Sequence, residues 1–457
     1  MSAWNDTVAA VSTPRGKGGI AVIRISGEDC AAVLGRVFRP KGKSPAQHPR
    51  RACFGALVDA AGEVLDEVLV TYFGAPRSFT GEDVAEIACH GGTLVTESVL
   101  GAVLAAGARP ATAGEFTRRA LLNGKMKLSE AEALGALLDA DTAGRLALAR
   151  GGMSGKLAAA IEGQYETLAR LLADLYAKID FPDEDLNTMS EDEWLAALCE
   201  VRARIVALSA TWRTGRAVAE GIATVICGPV NAGKSTLYNA LVGRDAAIVT
   251  DVAGTTRDIL SETVALGNLT LRLSDTAGLR ETADAVEGIG VSRARQAMEE
   301  AELILAVFDG ARPWGEAEQA LLADLQTLTA PVIAVVNKSD REAAFSDTVL
   351  GDFTHVVHLS AKDGEIGALR SAVEQLFLDG ALDLRHDAVV SNARQYAALT
   401  RAAEQLDRAI AALTGGILPD AVSSDVELAM SALGEVDGRA VSEDVVANIF
   451  SHFCVGK

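Results

Sequence analysis

The sequence predicts a multidomain protein of mixed class: an N-terminal α+β domain, then a discontinuous helical domain into which an α/β domain is inserted. Three observations support this prediction. Short β-type runs and glycine-rich turns fill residues 1–125, helical spacing dominates residues 126–218, and hydrophobic strands alternate with helical segments in residues 219–380. Helical spacing returns in residues 381–457, so we expect the two helical parts to pack together.

Length, composition and charge exclude several classes of protein. The 457 residues are 49% apolar and carry 42 Lys and Arg against 62 Asp and Glu, a formal net charge of −20. This is a globular composition for about three domains, and such a chain cannot hold nucleic-acid phosphates by bulk charge. Any RNA contact must therefore be local or shared with a partner.

Three features that the sequence lacks indicate where in the cell the protein is expected. No apolar run approaches the roughly 18 residues of a membrane span, and the N terminus lacks the pattern of a secretory signal. The six cysteines include no C-x-x-C pair, so reduced thiols are expected rather than a metal or redox site. We expect a cytoplasmic protein with no membrane association.

The first domain is predicted from β-branched runs and one long helical stretch. We expect strands from Ile20 to Ile25, Val68 to Phe73 and Val84 to Ala88, and a helix from Thr93 to Ala106. These elements form a small α+β domain.

The helical domain is predicted from side-chain spacing. One buried helix face is expected to contain Leu168, Leu171, Leu172, Leu175, Tyr176 and Ile179. Ser190 and Glu193 have the spacing of a capping box that opens the next helix, which we expect to extend to Trp212. After residue 383 a second helical run begins, with Leu399 and Leu406 on one face.

The inserted α/β domain contains five short hydrophobic runs separated by helical segments. Such alternation is typical of a parallel sheet with crossover helices. The predicted strands are Ile222 to Cys227, Leu269 to Leu273, Leu303 to Phe308, Val332 to Val336 and Val356 to Leu359.

Residues 228–235 read GPVNAGKS and match the phosphate-loop pattern G-x-x-x-x-G-K-[ST] between a strand and a helix that begins near Thr236. Backbone N–H groups of such a loop wrap a β-phosphate, Lys234 reaches the β and γ oxygens, and the Ser235 hydroxyl ligates Mg²⁺. Asn231 has two interpretations. Its side-chain carbonyl can help to hold a monovalent cation beside the phosphates, or it can cap its own turn.

Further motifs indicate a guanine nucleotide. DTAG at 275–278 follows a strand as a Mg²⁺-side carboxylate and a γ-phosphate sensor do, and NKSD at 337–340 offers a carboxylate to the guanine N1–H and amine. SAK at 360–362 closes the base pocket, and GTTRD at 254–258 supplies a first switch with Thr256 as second Mg²⁺ ligand. Leu279 stands where Ras-type enzymes have a water-orienting Gln. The motifs resemble those of the translation-factor-like GTPases, which have a Ras-like P-loop domain.

Nearly end to end, the chain resembles the MnmE (TrmE) family of bacterial tRNA modification GTPases. The resemblance rests on SFTGED at 78–83, HGG at 90–92, LNGK at 122–125, DTAGLR at 275–280 and the terminal FCVGK at 453–457. It implies a homodimer that forms a heterotetramer with an MnmG-like flavoprotein, which carries the FAD. The complex adds a carboxymethylaminomethyl-type group to the wobble uridine of certain tRNAs, with a tetrahydrofolate derivative as one-carbon donor.

The resemblance also implies site residues. The guanine nucleotide is expected at Gly228, Asn231, Ala232, Gly233, Lys234, Ser235, Thr236, Thr250, Asp251, Val252, Ala253, Gly254, Thr255, Thr256, Asp275, Thr276, Ala277, Gly278, Asn337, Lys338, Asp340, Ser360, Ala361 and Lys362. K⁺ that activates hydrolysis is expected at Asn231, Thr250, Val252 and Thr255, and folate at Arg24, Glu86, Lys125 and Lys457. Cys454 is the implied functional thiol. Glu287 is implied to orient the catalytic water, although by sequence it can equally be a solvated carboxylate.

Two departures and two alternatives accompany this interpretation. Val230 stands where the family usually has Pro, and Arg15 stands where a second Pro is common. A ribosome-assembly GTPase shares the nucleotide motifs, but the residues after 383 lack a convincing G-x-x-G nucleic-acid clamp. In the other alternative the first domain is a one-carbon transferase that the GTPase domain regulates.

Overall fold

A computed structural model of the chain describes residues 6–14, 16–181, 188–245, 261–274, 295–351, 353–416 and 419–456. The predicted fold class, an α+β domain, a discontinuous helical domain and an inserted Ras-like P-loop domain, is confirmed. The chain forms two compact units, one of Met1–Gly135 with Gly434–Lys457 and one of Ala136–Leu433. The domain limits given above stay a prediction.

The first unit contains a seven-stranded sheet. Its strands are β1 (Val8–Val11), β2 (Ile20–Ser26), β3 (Phe38–Pro40), β4 (Ala52–Val58), β5 (Val64–Phe73), β6 (Val84–His90) and β7 (Arg109–Pro110), in the order β3-β4-β5-β6-β2-β1-β7. Neighbours are antiparallel except β1 and β7. Helices α1 (Cys30–Val37) and α2 (Thr93–Ala105) cover one face, where Ile23, Val70, Ile87 and Val99 are fully buried. Helix α3 spans Glu115–Leu122.

Among the described residues, five helices follow α3 in the chain before the second sheet begins, and four of them lie wholly in the second unit. They are α4 (Leu128–Leu138), which spans the boundary, α5 (Ala143–Met153), α6 (Lys156–Asp180), α7 (Glu191–Ala210) and α8 (Trp212–Ala219). Leu168, Leu171 and Leu175 of α6 are buried as predicted, and the Ser190 and Glu193 capping box opens α7.

Along the chain, a six-stranded sheet follows these helices and precedes the C-terminal helices. Its strands are β8 (Ile222–Cys227), β9 (Ser261–Leu266), β10 (Leu269–Ser274), β11 (Leu303–Asp309), β12 (Val332–Asn337) and β13 (His355–Leu359), in the order β13-β12-β11-β8-β10-β9. Only β9 runs antiparallel to its neighbour. Helices α9 (Lys234–Asp245), α10 (Glu316–Leu325) and α11 (Gly367–Phe377) accompany this sheet.

The last three helices that the structure describes are divided between the two units. Helix α12 (Ala393–Thr414) packs along α7, where the exposed pair Arg202 and Asp407 joins them at 2.8 Å. Helix α13 (Pro419–Asp437) crosses the unit boundary, and α14 (Glu443–Ser451) belongs to the first unit. The two helical halves of the second unit therefore pack together as predicted.

Four side chains differ from the sequence-based expectation. Leu172 and Ile179 were predicted on the buried face of α6, but both are partly exposed. Tyr176 was predicted on the buried face of α6, but it is exposed, and its hydroxyl donates to Glu427. An aromatic ring with a polar tip satisfies helical spacing at the border of the face as well as in its centre. Trp212 begins α8 instead of ending the preceding helix, and stacks on Tyr396 with ring centroids 5.4 Å apart. Within the described ranges no helix is both long and apolar enough to cross a membrane.

Candidate functional site

The phosphate loop joins β8 to α9 and is shaped by two glycines. Gly228 has a φ of 150° and Gly233 a φ of 99°. A Cβ atom would lie 2.2 Å from the Val307 carbonyl oxygen at the first position and 2.1 Å from Nδ2 of Asn337 at the second. Only glycine therefore fits, because no side-chain carbon tolerates such contacts.

Lys234 points its charge at this loop. Its Nζ donates to the carbonyl oxygens of Gly228 and Pro229, both at 2.9 Å, and no carboxylate in the described part of the chain pairs with it. Burial lowers the pKa of the Lys234 ammonium, and the neighbouring Cys227 sulfur opposes that shift. A half-buried cation with only neutral acceptors is suited to bind an anion such as phosphate. The exposed Ser235 follows it in the first turn of α9.

Asn337 connects the phosphate loop to the base-binding loops. Its side chain is buried and donates from Nδ2 to the Ala232 carbonyl oxygen at 3.0 Å. Its Oδ1 accepts from the Ala361 N–H at 3.0 Å and the Lys338 N–H at 2.8 Å. Three predicted motifs thus meet at the carboxyl ends of parallel strands, which is the edge where α/β sheets bind ligands.

The base side of this edge presents a carboxylate. Asp340 is about one-third exposed and accepts from the Ser360 hydroxyl at 3.2 Å. The Ser360 oxygen also lies 2.6 Å from Oδ2 of Asp363, so its single O–H is shared between the two carboxylates, and the contact with Asp340 joins the two loops. Lys362 is exposed beside them. An accessible carboxylate at this position can accept the paired N–H donors of guanine.

One residue that sequence reasoning missed is Asp309, at the end of β11. It is buried, and its Oδ2 lies 2.6 Å from Nζ of Lys338, which also donates to the Asn231 carbonyl oxygen at 3.2 Å. The ion pair holds Lys338 against the phosphate loop. The available signal was an acidic residue followed by glycine at the end of an apolar strand, at the same sheet edge as the recognised motifs.

Part of the predicted nucleotide site lies outside the described residues. These positions are Thr250, Asp251, Val252, Ala253, Gly254, Thr255, Thr256, Asp275, Thr276, Ala277, Gly278 and Glu287, together with Lys457 of the folate set and the Arg15 departure. Their assignments stay predictions. Of the four expected K⁺ ligands only Asn231 is described; it has a φ of 65°, and its side-chain amide has no partner among the described residues. The side chain therefore does not cap its own turn within the described residues, and its role as a K⁺ ligand stays a prediction.

The predicted folate residues Arg24 and Glu86 face each other across β2 and β6. Nε and Nη2 of Arg24 both donate to Oε1 of Glu86, at 3.0 and 2.8 Å, and the guanidinium lies over the Phe79 and Phe116 rings. No described residue donates to Oε2 of Glu86, so that oxygen can accept the N–H groups of a pterin. Lys125 donates to the Pro76 carbonyl oxygen at 3.0 Å, in the loop that carries Phe79. The described residues therefore fit a folate.

Cys454 lies at the edge of the first unit. Its carbonyl oxygen is 3.5 Å from the Gly114 nitrogen, Val455 forms a bridge with Ala113, and the Ser12 hydroxyl donates to the Gly456 carbonyl oxygen at 2.9 Å. The side chain of Cys454 is exposed. These backbone contacts fix the terminal segment on the first unit while the thiol stays accessible to a reaction partner.

A buried ion network lies beside the first sheet. Arg119 is 1% exposed and donates to carboxylate oxygens of Asp6, Glu82 and Glu115 at 2.8, 3.1 and 3.0 Å. Burial alone would raise the pKa of Glu115, but hydrogen bonds from Arg109, the Thr112 N–H and Arg119 outweigh it and lower the pKa. Both guanidinium groups of this network are therefore paired with carboxylates of the fold itself.

Comparisons with known proteins agree with the motifs. The family model described as GTP-binding protein TrmE N-terminus matches residues 7–125, and the MnmE helical domain model matches residues 128–454. The tRNA modification GTPase MnmE of Heliobacterium modesticaldum is 40% identical over 468 residues, with 99% of each chain covered. The protein of the same name from Symbiobacterium thermophilum is 41% identical over 458 residues, again with 99% of each chain covered.

Among solved structures, a variant of Era from Aquifex aeolicus bound to GDP and AlF₄⁻ is 25% identical. It covers 40% of this chain and 66% of its own, with a TM-score of 0.27. The two family models and the full-length relatives decide the assignment. This chain belongs to the MnmE (TrmE) family of tRNA modification GTPases.

Proposed function

We propose that this chain hydrolyses GTP and acts in tRNA modification, as the name of its relatives states. The observation that carries the GTP part is the buried Asn337 amide, which bonds both to the phosphate loop at Ala232 and to the base loop at Ala361. One side chain thereby sets the spacing between phosphate-binding and base-binding loops. Family membership supports the tRNA part.

The nucleotide roles follow from the donors and acceptors present. Lys234 exchanges its two carbonyl acceptors for β- and γ-phosphate oxygens, and Asp340 accepts the guanine N–H pair. Ser235, with Thr256, is proposed to hold Mg²⁺, which when bound neutralises charge on the phosphates. Family membership supports the proposal that Glu287 orients the attacking water. Leu279 cannot take this role, since its side chain can neither donate nor accept a hydrogen bond.

We further propose that K⁺ activates hydrolysis when the GTPase domains of a homodimer meet. The open side-chain amide of Asn231 supports this, with Thr250, Val252 and Thr255 as the other proposed ligands. Replacing KCl by NaCl at matched ionic strength should slow hydrolysis, and Asn231→Ala should erase the difference. Asn448→Ala, at an exposed position outside this site, is the control and should preserve it. Equal wild-type rates in both salts would remove K⁺ from the proposal.

The modification itself is proposed to need a cytoplasmic heterotetramer with an MnmG-like flavoprotein, which holds the FAD. A tetrahydrofolate derivative bound at Arg24, Glu86, Lys125 and Lys457 supplies one carbon, and Cys454 takes part in building the carboxymethylaminomethyl-type group on the wobble uridine. The accessible Cys454 thiol and the open Oε2 of Glu86 support these roles.

Folate binding can be tested by titration. Arg24→Ala and Glu86→Ala should each weaken tetrahydrofolate binding, since each removes one half of the pair that presents the open Glu86 oxygen. Lys41→Ala is the matched control, because it breaks an exposed ion pair with Glu67 in the same unit. Undiminished affinity in the first two variants would remove this site from the proposal.

The decisive experiment measures nucleosides from bulk tRNA by mass spectrometry. A strain that lacks this protein is complemented with the wild type or with Cys454→Ser. We expect the carboxymethylaminomethyl-type wobble uridine to disappear on deletion and to return only with the wild type. Unchanged nucleosides in the deletion strain would overturn the proposed function and favour an assembly-type GTPase.

A further inference from the structure

One segment of this acidic chain has the opposite charge. Residues 30–58 contain six Lys and Arg, one His, and no Asp or Glu, so they carry +6 while the other 428 residues carry −26, which sums to −20. The segment runs from α1 through β3 and the following loop into β4. In a chain of net −20, such a segment is where a polyanion can be attracted locally.

The structure places part of this segment around an open cleft of about 280 Å³ on the first unit. The residues that we call the basic cleft are Lys43, His48, Arg51 and Phe54, with Gly42 and Cys53 between them. The Phe54 ring is 44% exposed, and Nζ of Lys41 lies 4.6 Å from its centroid. An exposed aromatic ring among cations is a surface on which a nucleic-acid base can stack.

The cations of the cleft are not neutralised by the protein. Neither Lys43 nor Arg51 forms an ion pair with any described carboxylate, and both side chains are exposed. Next to Arg51, Arg50 donates to the Arg77 backbone carbonyl oxygen at 2.8 Å, so a second guanidinium belongs to the same surface. Lys41, beside Phe54, is the one cation here with a carboxylate partner, Glu67, among the described residues.

We propose that the basic cleft binds the ribose-phosphate backbone of the tRNA substrate. The inference rests on the proposed function, which supplies an RNA, and it names the surface of this chain that holds it. A polyanion suits the site better than a single small anion, because the charges of Lys43, Arg50 and Arg51, which no described carboxylate pairs with, lie at separate positions of the segment. In a chain of net −20, a concentrated patch is also what local RNA binding requires.

The test measures binding of a fluorescein-labelled, unmodified tRNA transcript to the full chain by fluorescence anisotropy, over a range of KCl concentrations. The double variant Lys43→Ala/Arg51→Ala should bind roughly three- to tenfold more weakly and reduce the slope of log affinity against log salt by about 1 to 2. An unrelated hairpin RNA should lose as much, since phosphate contacts carry no sequence information. Phe54→Ala should weaken binding without changing the salt slope.

Two further variants make the result specific. Arg170→Ala/Arg408→Ala removes the same charge from exposed positions on α6 and α12, and should bind like the wild type. Lys43→Arg/Arg51→Lys retains the charge and should preserve binding, which separates lost cations from a disturbed fold. Thermal unfolding of the alanine variant checks the fold independently.

Several outcomes would overturn the inference. They are wild-type affinity in the alanine double variant, an equal loss in the Arg170→Ala/Arg408→Ala control, and no tRNA binding by the wild type at low salt. Weaker capture of an acidic protein, with tRNA binding intact, would make the cleft a protein interface instead. The nucleoside assay in the deletion strain decides separately whether the proposed function stands, because it does not depend on where the RNA is bound.

Discussion

The buried cation of the first unit and the half-buried cation of the second unit have opposite kinds of hydrogen-bond partner. In the first unit the Arg119 guanidinium donates to three carboxylates, those of Asp6, Glu82 and Glu115. In the second unit the Lys234 ammonium donates to two backbone carbonyls and pairs with no described carboxylate. The first charge is neutralised within the fold, whereas the second is left for a ligand.

This difference separates charges that hold the fold from charges that bind substrates. Lys43 and Arg51 of the basic cleft belong with Lys234, since they too lack carboxylate partners among the described residues. Arg24 is intermediate, because it uses one oxygen of Glu86 and leaves the other open. Partner chemistry therefore predicts which substitutions lower stability and which lower affinity or rate.

The largest expected effect on stability is that of Arg119→Met. It leaves Glu115, 1% exposed, without one of its two arginine partners, and it removes a bond to the Asp6 carbonyl oxygen. We expect a loss of about 3–5 kcal/mol in the free energy of unfolding. Hydrogen exchange should rise in peptides from β1 and α3, with protection of β11 unchanged.

The control for this substitution is Arg202→Ala. It breaks a two-bond ion pair with Asp407 in the second unit, but both side chains are about half exposed. The expected cost is at most about 1 kcal/mol. Equal losses of unfolding free energy in the two variants would contradict the view that burial, and not ion pairing in itself, determines how much Arg119 contributes to stability.

Lys234→Ala should lower the rate of GTP hydrolysis strongly while it changes stability little. We expect at least a roughly 100-fold loss in kcat/KM for GTP hydrolysis, since the cation that faces the phosphates is gone. The unfolding temperature without nucleotide should stay near that of the wild type, because only two hydrogen bonds to backbone carbonyls are lost and no buried carboxylate is left unpaired. A stability loss as large as that of Arg119→Met would break the comparison.

The sequence predicted helices and strands, but it did not predict the ion pairs between residues that are far apart in the chain. Strands such as β11 follow from hydrophobic runs, and the Ser190 capping box follows from a three-residue spacing, because both signals are local. The pairing of Asp309 with Lys338 joins residues 29 apart, and the bond from Arg119 to Asp6 joins residues 113 apart. Local patterns contain no information on such pairs, which depend on the tertiary fold.

Acid should weaken the first unit through its carboxylates. The pKa values of Asp6 and Glu115 are both lowered, because arginine hydrogen bonds outweigh the opposing effect of burial. Their stabilising contribution is therefore present above the unfolded pKa values, about 4, and is lost as the pH falls through the lower folded values.

Glu115→Gln tests this dependence. The variant should be less stable than the wild type at neutral pH, and the gap should narrow as the pH falls below the unfolded pKa, about 4, and through the lowered pKa of the folded state. Denaturant unfolding at several pH values, followed by exchange in the α3 peptide, measures the gap. A gap that is constant with pH would show that packing, and not charge, explains the loss.

The smallest effect is expected from Asp309→Asn, which converts a charge that positions a nucleotide-site residue into a neutral group. The amide can still accept from the Ala311 N–H but holds the Lys338 ammonium less firmly. We expect about tenfold weaker binding of both GTP and GDP, with kcat unchanged, because Lys338 contacts the loop and not the reacting atoms.

Asp347→Asn is the control for this substitution. It weakens an exposed pair with His358 in the same unit and should leave the affinity for both nucleotides unchanged. A fall in kcat at constant affinity would instead place Asp309 in the chemical step, and wild-type values for both would mean that the bond from Lys338 to the Asn231 carbonyl is sufficient.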